Sequence, residues 1–369
     1  MSRMADSITR EQILQFRVRA QQLDAESRAI ADVAVLDFGV QDTGPDGGLW
    51  ALAIRGVDVS ALSTDELATA WTLRGAPHIY RRADLPGVAA ATWPFSNADA
   101  GKRIFDAAKP LRQAGIGNLD ALDAVAAAMR SIVTQPMVKG DVSTRLTPLM
   151  DEPYRRFCRA CNAVHLYEQT FRLAALRAGL ELQAGTSPPV MQPIPGFDGP
   201  AATVPDDLHV IRGYLRLLGP ATPKQVADFL DASLKDVKAR WPSDAVEVSV
   251  ESEARWALAA DVDAMMGGPV RATRLLGPFD LFLQAKDRSL LVDDPTRAKA
   301  MWPALGRPGG VLVDGDIAGM WRPRKSGSKL NMQVELWSHD TPSARESISA
   351  EAERLSAFRS ARLGMVRFG

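Results

Sequence analysis

Leu36-Asp37-Phe38-Gly39-Val40-Gln41-Asp42-Thr43, running straight into Gly44-Pro45-Asp46-Gly47-Gly48, is the stretch from which the rest of the chain is read. Apolar Leu36, Phe38 and Val40 alternate with Asp37, Gly39 and Gln41, the period of an extended segment with one face in a core. Its other face would then carry Asp37, Gln41 and Thr43 together, with Asp42 turned away. An amide and a hydroxyl two residues apart, beside a carboxylate, can hold a water molecule. On local chemistry alone the segment is a polar strand end before a turn; its functional reading depends on what surrounds it.

A chain of 369 residues has room for two or three domains with cores of their own. The hydrophobic fraction of 46% and charged fraction of 24% are those of an ordinary globular protein. Lys+Arg 44 and Asp+Glu 44 cancel, so no global positive field draws in a polyanion, and nucleic-acid binding requires a local basic surface. Cys158 and Cys161 are the only cysteines, which excludes a disulfide framework and suits a reducing interior. Met1 to Asp6 lacks the apolar run of a secretory signal, and no segment approaches membrane-spanning length, so a cytoplasmic protein that does not enter membranes is expected.

Outward from the opening stretch, Thr9-Arg10-Glu11-Gln12 has the form of a capping box ahead of a helix with Ile13, Phe16, Ala20 and Leu23 on one face. A second helix is expected over Glu26–Ala34, and Ser63-Thr64-Asp65-Glu66 reads as a cap for a short third one. Trp71-Thr72-Leu73-Arg74-Gly75-Ala76-Pro77-His78-Ile79-Tyr80 gives two alternating runs around a turn, a β-hairpin. Helices followed by a hairpin describe a winged helix, here residues 1–97. Residues 98–200 read as mostly helical, with helices over 100–114, 119–132, 141–149, 152–161 and 167–178 and short strands at 180–182 and 190–191. A Pro- and Gly-rich linker over 193–205 then breaks both periods.

Residues 206–270 form the most legible module. Helices over 206–218, after Thr222-Pro223-Lys224-Gln225 and after Ser233 precede alternating Val246, Val248 and Val250 and a return strand at Trp256-Ala257-Leu258. Leu234, Val237 and Trp241 are expected inward and Lys235, Lys238 and Arg240 outward. The wing carries Glu247 and Glu251, which repel phosphate, so this module reads as structural rather than DNA-contacting. Residues 271–369 read as β-rich, with a hairpin at Asp314-Gly315, a second hairpin over 320–337 and a closing helix over 343–363. The tip of the second hairpin carries Arg322, Arg324, Lys325 and Lys329 with no acid among them, the strongest phosphate-binding candidate in the chain.

Four strings in this order, Trp71 to His78, Tyr214-Leu-Arg-Leu-Leu-Gly-Pro-Ala-Thr-Pro223, Leu275-Leu-Gly-Pro-Phe-Asp280 and Leu312-Val-Asp-Gly-Asp-Ile-Ala-Gly-Met-Trp321, resemble the AlkZ-like and YcaQ-like winged-helix DNA glycosylases of bacteria. The resemblance implies an α+β fold of about three tandem winged helices with a β-rich segment, curved around a DNA cleft. It also implies excision of alkylated purines or bulky adducts from double-stranded DNA, by a monomer without cofactor, at the nucleoid. The family signature is Gln, any residue, then Gln or Asp. Gln41 matches the first position as the residue that orients a water, and Thr43, shorter and a poorer acceptor, stands at the second. The expected catalytic set is therefore Gln41, Thr43 and Asp42, the last as the substitute acceptor next to Gln41, with Asp37 as runner-up.

Arg74 is a candidate phosphate contact and His78 a candidate phosphate or water contact beside the signature, although a lone histidine on a hairpin is more often a structural bond-maker. Cys158, Cys161 and His165 have the spacing of a partial metal site on one helical face. With no fourth ligand in view they are read as ordinary helix residues, and no metal is expected.

Overall fold

A computed structural model describes residues 7–44, 47–63 and 65–369; the reading of Met1–Asp6 lies outside them, as do Pro45, Asp46 and Thr64. Among the described residues the strands form four sheets. The first contains β1 (Val40–Gln41), β2 (Leu67–Trp71), β3 (Pro77–Arg81) and β4 (Met137–Val138). A separate ribbon follows, β5 (Arg155–Cys158) and β6 (Ala163–Leu166), and then β7 (Leu180–Leu182) and β8 (Val190–Pro193) rejoin the first sheet, whose order is β1-β3-β2-β7-β8-β4. The first hairpin and the strands of the helical region thus share one antiparallel sheet. β9 (Ala245–Val250) and β10 (Glu253–Leu258) are the wing of the third module. β11 (Thr273–Leu276), β12 (Gly309–Val313), β13 (Asp316–Ser326), β14 (Lys329–Leu336) and β15 (Arg362–Phe368) form the last sheet in sequence order.

The β2–β3 hairpin closes as its sequence directs: Thr72 N–H donates to Ala76 O at 3.1 Å, and Arg74 and Gly75 take left-handed φ of 59° and 66°. At Gly75 glycine is required twice over, because a Cβ would lie 2.3 Å from Gln169 Oε1. The third module has its helices at Val210–Leu218, Pro223–Leu230 and Leu234–Ala239 ahead of the wing, a winged helix. Val237 is buried, and Trp241 is half-buried with its ring centroid 6.3 Å from that of Trp256. Leu234, expected inward, is instead among the exposed apolar residues.

Other expectations are corrected. Glu26–Ala34 contains no α-helix: two 3-10 turns, Ile30–Asp32 and Ala34–Asp37, replace it, and the Arg81 guanidinium takes the carbonyls of Ile30, Ala31 and Val33 that a helix would have used internally. Ser63 N–H donates to Glu66 Oε2 at 2.7 Å, but the turn leads directly into β2 rather than a helix. The helix expected over 100–114 breaks into Asn97–Arg103 and Ala108–Gln113 around Phe105, which has φ 46°. Residues 155–166 are a hairpin rather than a helix, and the closing helix stops at Phe358, after which β15 pairs parallel to β14.

The first helix, Arg10–Ala20, carries the expected capping box, yet its apolar face packs away from its own module. Ile13 and Phe16 cluster with Val250, Ala257, Met265 and Leu290, and Ile8 bridges to Val250. Arg17 and Arg255 both bind Asp287, at 2.6 Å each, with all three side chains buried. A triad of this kind is costly to break, because any one deletion leaves a buried charge unmatched. It ties the N-terminal helix to the third wing and the C-terminal region.

Candidate active site and basic surface

Gln41 ends the short strand β1 opposite His78 of β3, so the hairpin fixes its backbone. Arg74 Nη2 donates to Gln41 Oε1 at 3.1 Å, and Gln41 Nε2 donates to Thr43 Oγ1 at 3.1 Å. A guanidinium has only donors, so the amide oxygen must face it; the amide can point only one way. Gln41 Oε1 keeps a second lone pair, and the Thr43 hydroxyl keeps its proton, on side chains that are partly open to solvent.

Arg74 is held from three sides. Its Nη1 donates to Phe229 O at 2.8 Å, its Nη2 also donates to Gln284 Oε1 at 2.8 Å, and its guanidinium lies 4.4 Å from the centre of the Phe229 ring. Burial lowers its pKa, though an arginine stays charged. Phe229 is fixed in turn by Phe38, stacked at 5.2 Å, and by Tyr214, edge-on at 5.2 Å. Gln284 closes a 3-10 turn, Leu281–Gln284, capped by Asp280, whose two carboxylate oxygens receive Arg55 at 2.7 and 2.9 Å in a fully buried bidentate pair. Two of the strings quoted above, those ending at Pro223 and at Asp280, therefore supply Tyr214 and Asp280, which hold in place the Phe229 and Gln284 that bind Arg74.

The expected site residues separate. Asp42 Oδ1 accepts the Gly48 N–H at 2.8 Å and caps the helix Gly47–Ala53, which gives Asp42 a structural task in place of that of the second acceptor. Asp37 sits in a 3-10 turn rather than on a strand and binds Arg81 at 2.7 Å and Arg216 at 3.3 Å, away from the Gln41 amide. The single-face reading of the opening stretch fails at Gly39, whose φ of +90° turns the chain and whose missing Cβ makes room for the Tyr80 ring. His78 is only 2% exposed; its Nδ1 donates to Ala76 O at 2.9 Å, and Thr72 Oγ1 lies 3.1 Å from the same nitrogen. Burial, with Arg74 nearby, pushes its pKa down to about 3, so it is neutral and does not serve as the expected phosphate contact.

Arg322, Arg324, Lys325 and Lys329 are all exposed on the β13–β14 hairpin. Strand β15 adds cations that the sequence reading missed: Arg367 lies in register with Gln333, itself opposite Arg322, and Arg362 in register with Lys329. Around Arg74 stand further unforeseen cations. Arg74 and Arg288 both depress the pKa of Lys286, after its burial, and Arg307 acts on both Arg74 and Arg288. A chain of contacts joins the two groups. Gln284 Nε2 donates to Phe279 O at 2.6 Å, Arg307 lies 5.3 Å from the Phe279 ring centre, and Arg322 Nη1 donates to Gly306 O at 2.7 Å beside it. Gln41 is thereby linked, through Arg74, Gln284 and the 302–308 loop, to the basic hairpin. Only tertiary packing brings these residues together.

Cys158, Cys161 and His165, expected on a helix, lie instead on the β5–β6 ribbon, with ligand atoms all within 4.8 Å of one another. No helix among the described residues is long and apolar enough to cross a membrane.

Comparison with curated proteins finds no match. Among solved structures, Streptomyces sahachiroi DNA glycosylase AlkZ superposes with a TM-score of 0.73 at 20% identity, over 98% of this chain and 100% of that one, a likeness of fold. The family model described as DNA glycosylase AlkZ-like matches residues 37–358, from the opening stretch to the end of the last helix. With that span matched, the chain belongs to the AlkZ-like DNA glycosylase family.

Proposed function

We propose that this protein hydrolyses the N-glycosidic bond of a purine alkylated at N7 or N3, or carrying a bulky adduct, in duplex DNA, with Gln41 positioning the water. The observation that carries the reading is the Gln41 amide, oriented by Arg74 and Thr43 and tied by continuous contacts to a basic hairpin. Water attacks the anomeric carbon as the C–N bond breaks, the bond's electron pair leaves with the base, and the water's proton passes to solvent. An N7-alkylated purine is already cationic and departs neutral, so the paired carboxylates that neutral leaving groups require are not needed. That matches a site in which Gln41 bonds an arginine and a threonine and the neighbouring Asp42 caps a helix. Positive charge around Arg74 suits the flanking phosphates, and these offset the charge that develops on the sugar.

A second reading, a catalytically silent DNA-binding protein on the same fold, is favoured by Thr43 at the second signature position. Incubation of enzyme in excess with an N7-methylguanine duplex, then alkaline cleavage, separates the two. Strand scission supports hydrolysis; salt-dependent binding without scission selects the silent reading; no binding at low salt contradicts both.

A further inference from the structure

The β5–β6 ribbon is anchored at its base, where Leu166 is buried and Arg156 pairs with Asp106, but its tip projects away from the core. Its outward cross-strand pair, Phe157 and Val164, is 60% and 51% exposed, so the ribbon buries no apolar core on that face. Two strands alone are at best marginally stable in water, so the part of the ribbon beyond Leu166 gains from a further tie. The opposite face and the turn carry three soft ligands. Cys158 ends β5, and Cys161 lies in the turn before Asn162, which has φ 50°. His165 stands opposite Arg156 and projects from the same face as Cys158, so the ribbon's register brings both toward the Cys161 thiol, with the three ligand atoms within 4.8 Å.

Two details match a metal centre rather than a chance cluster. His165 Nδ1 donates to Leu166 O at 2.7 Å, which fixes the tautomer and leaves the Nε2 lone pair for a metal. The pairing of Cys158 with Ala163 closes the ribbon through a four-residue turn, which folds Cys161 back to within ligand distance of the Cys158 sulfur. Two thiolates separated by two residues, together with one imidazole, form a donor set for a thiophilic divalent ion of the zinc type, and Cys161 is exposed enough to admit it.

We propose that Cys158, Cys161 and His165 bind one zinc-type ion, with water as the fourth ligand, and that this ion clamps the β5–β6 ribbon. Among the described residues no fourth His, Cys, Asp or Glu joins the cluster, which assigns that position to solvent. The clamp sets the ribbon that presents Phe157, Arg155 and Arg159 just ahead of the helix Glu168–Arg177, whose Arg172 donates to Gly75 O at 3.1 Å beside Arg74. The inference is independent of whether the protein is a glycosylase.

The test is metal content by mass spectrometry of untagged full-length protein, purified with a reductant and dialysed against metal-free buffer. About one equivalent of zinc is expected in the wild type, falling at least tenfold in Cys161→Ser and in His165→Ala. In the wild type, Co²⁺ titration should give thiolate-to-cobalt charge-transfer absorption, a readout that does not depend on how the variants fold. Reduced wild-type protein that takes up neither zinc nor Co²⁺, or a Cys158–Cys161 disulfide that persists in the reductant, would overturn the proposal.

Discussion

Gln41 is short of freedom in a useful way: its oxygen is shared with Arg74 and its nitrogen is given to Thr43, so the amide cannot rotate without losing both bonds. On the proposed mechanism Thr43 positions the amide by accepting its hydrogen bond. Thr43→Val should slow single-turnover base release by about fivefold, the equivalent of one ordinary hydrogen bond of about 1 kcal/mol. Thr43→Gln, which restores the family's amide pair, should raise it; equal rates for all three proteins would remove Thr43 from the account. His78 predicts a pH dependence of stability. Its folded pKa, about 3, lies below the ordinary value of 6.5, so between those values the unfolded chain binds more protons. The contribution is fully present above pH 6.5 and is lost as pH falls toward 3, by up to about 1.4 kcal/mol per pH unit. Urea unfolding of His78→Asn should fall less steeply than wild type over that window. Parallel slopes would mean that His78 charges in the folded state.

Among the elements, the β13–β14 hairpin is an electrostatic one. Arg324→Ala and Lys329→Ala should each weaken duplex binding by a similar factor on any DNA sequence and reduce the salt slope by about one. A loss confined to one sequence would instead make these residues base readers. The hairpins were legible because their turns carry local chemistry, Gly75-Ala76-Pro77 and Asp314-Gly315, and their strands alternate. The β5–β6 ribbon was not, since Arg155, Arg156, Phe157 and Cys158 present no apolar face to betray a period of two. β15 was missed for a related reason. Its pairing with β14 is parallel and non-local, a register shift puts its inward Leu363, Val366 and Phe368 out of a strict period of two, and its first two residues read as the tail of the preceding helix.

At the scale of the whole molecule, the site is assembled by long-range supports. Gln41 was named from its own string, but Arg74 is 33 residues away, and the Phe229 and Gln284 that hold it are 155 and 210 residues beyond Arg74. No local period encodes such convergence. The buried Arg55–Asp280 pair caps the turn that carries Gln284, so Arg55→Met should cost about 3–5 kcal/mol in urea unfolding by leaving Asp280 buried without its partner. The surviving folded protein should also show slower excision; a loss of stability with unchanged excision would uncouple that support from the site. The most direct test of the central claim is single-turnover release of N7-methylguanine from duplex DNA by wild type and Gln41→Ala, with duplex affinity measured alongside. The account predicts a rate at least 100-fold lower in the variant at nearly unchanged affinity, of the order expected when a water-positioning group is lost. Full activity in Gln41→Ala would contradict it.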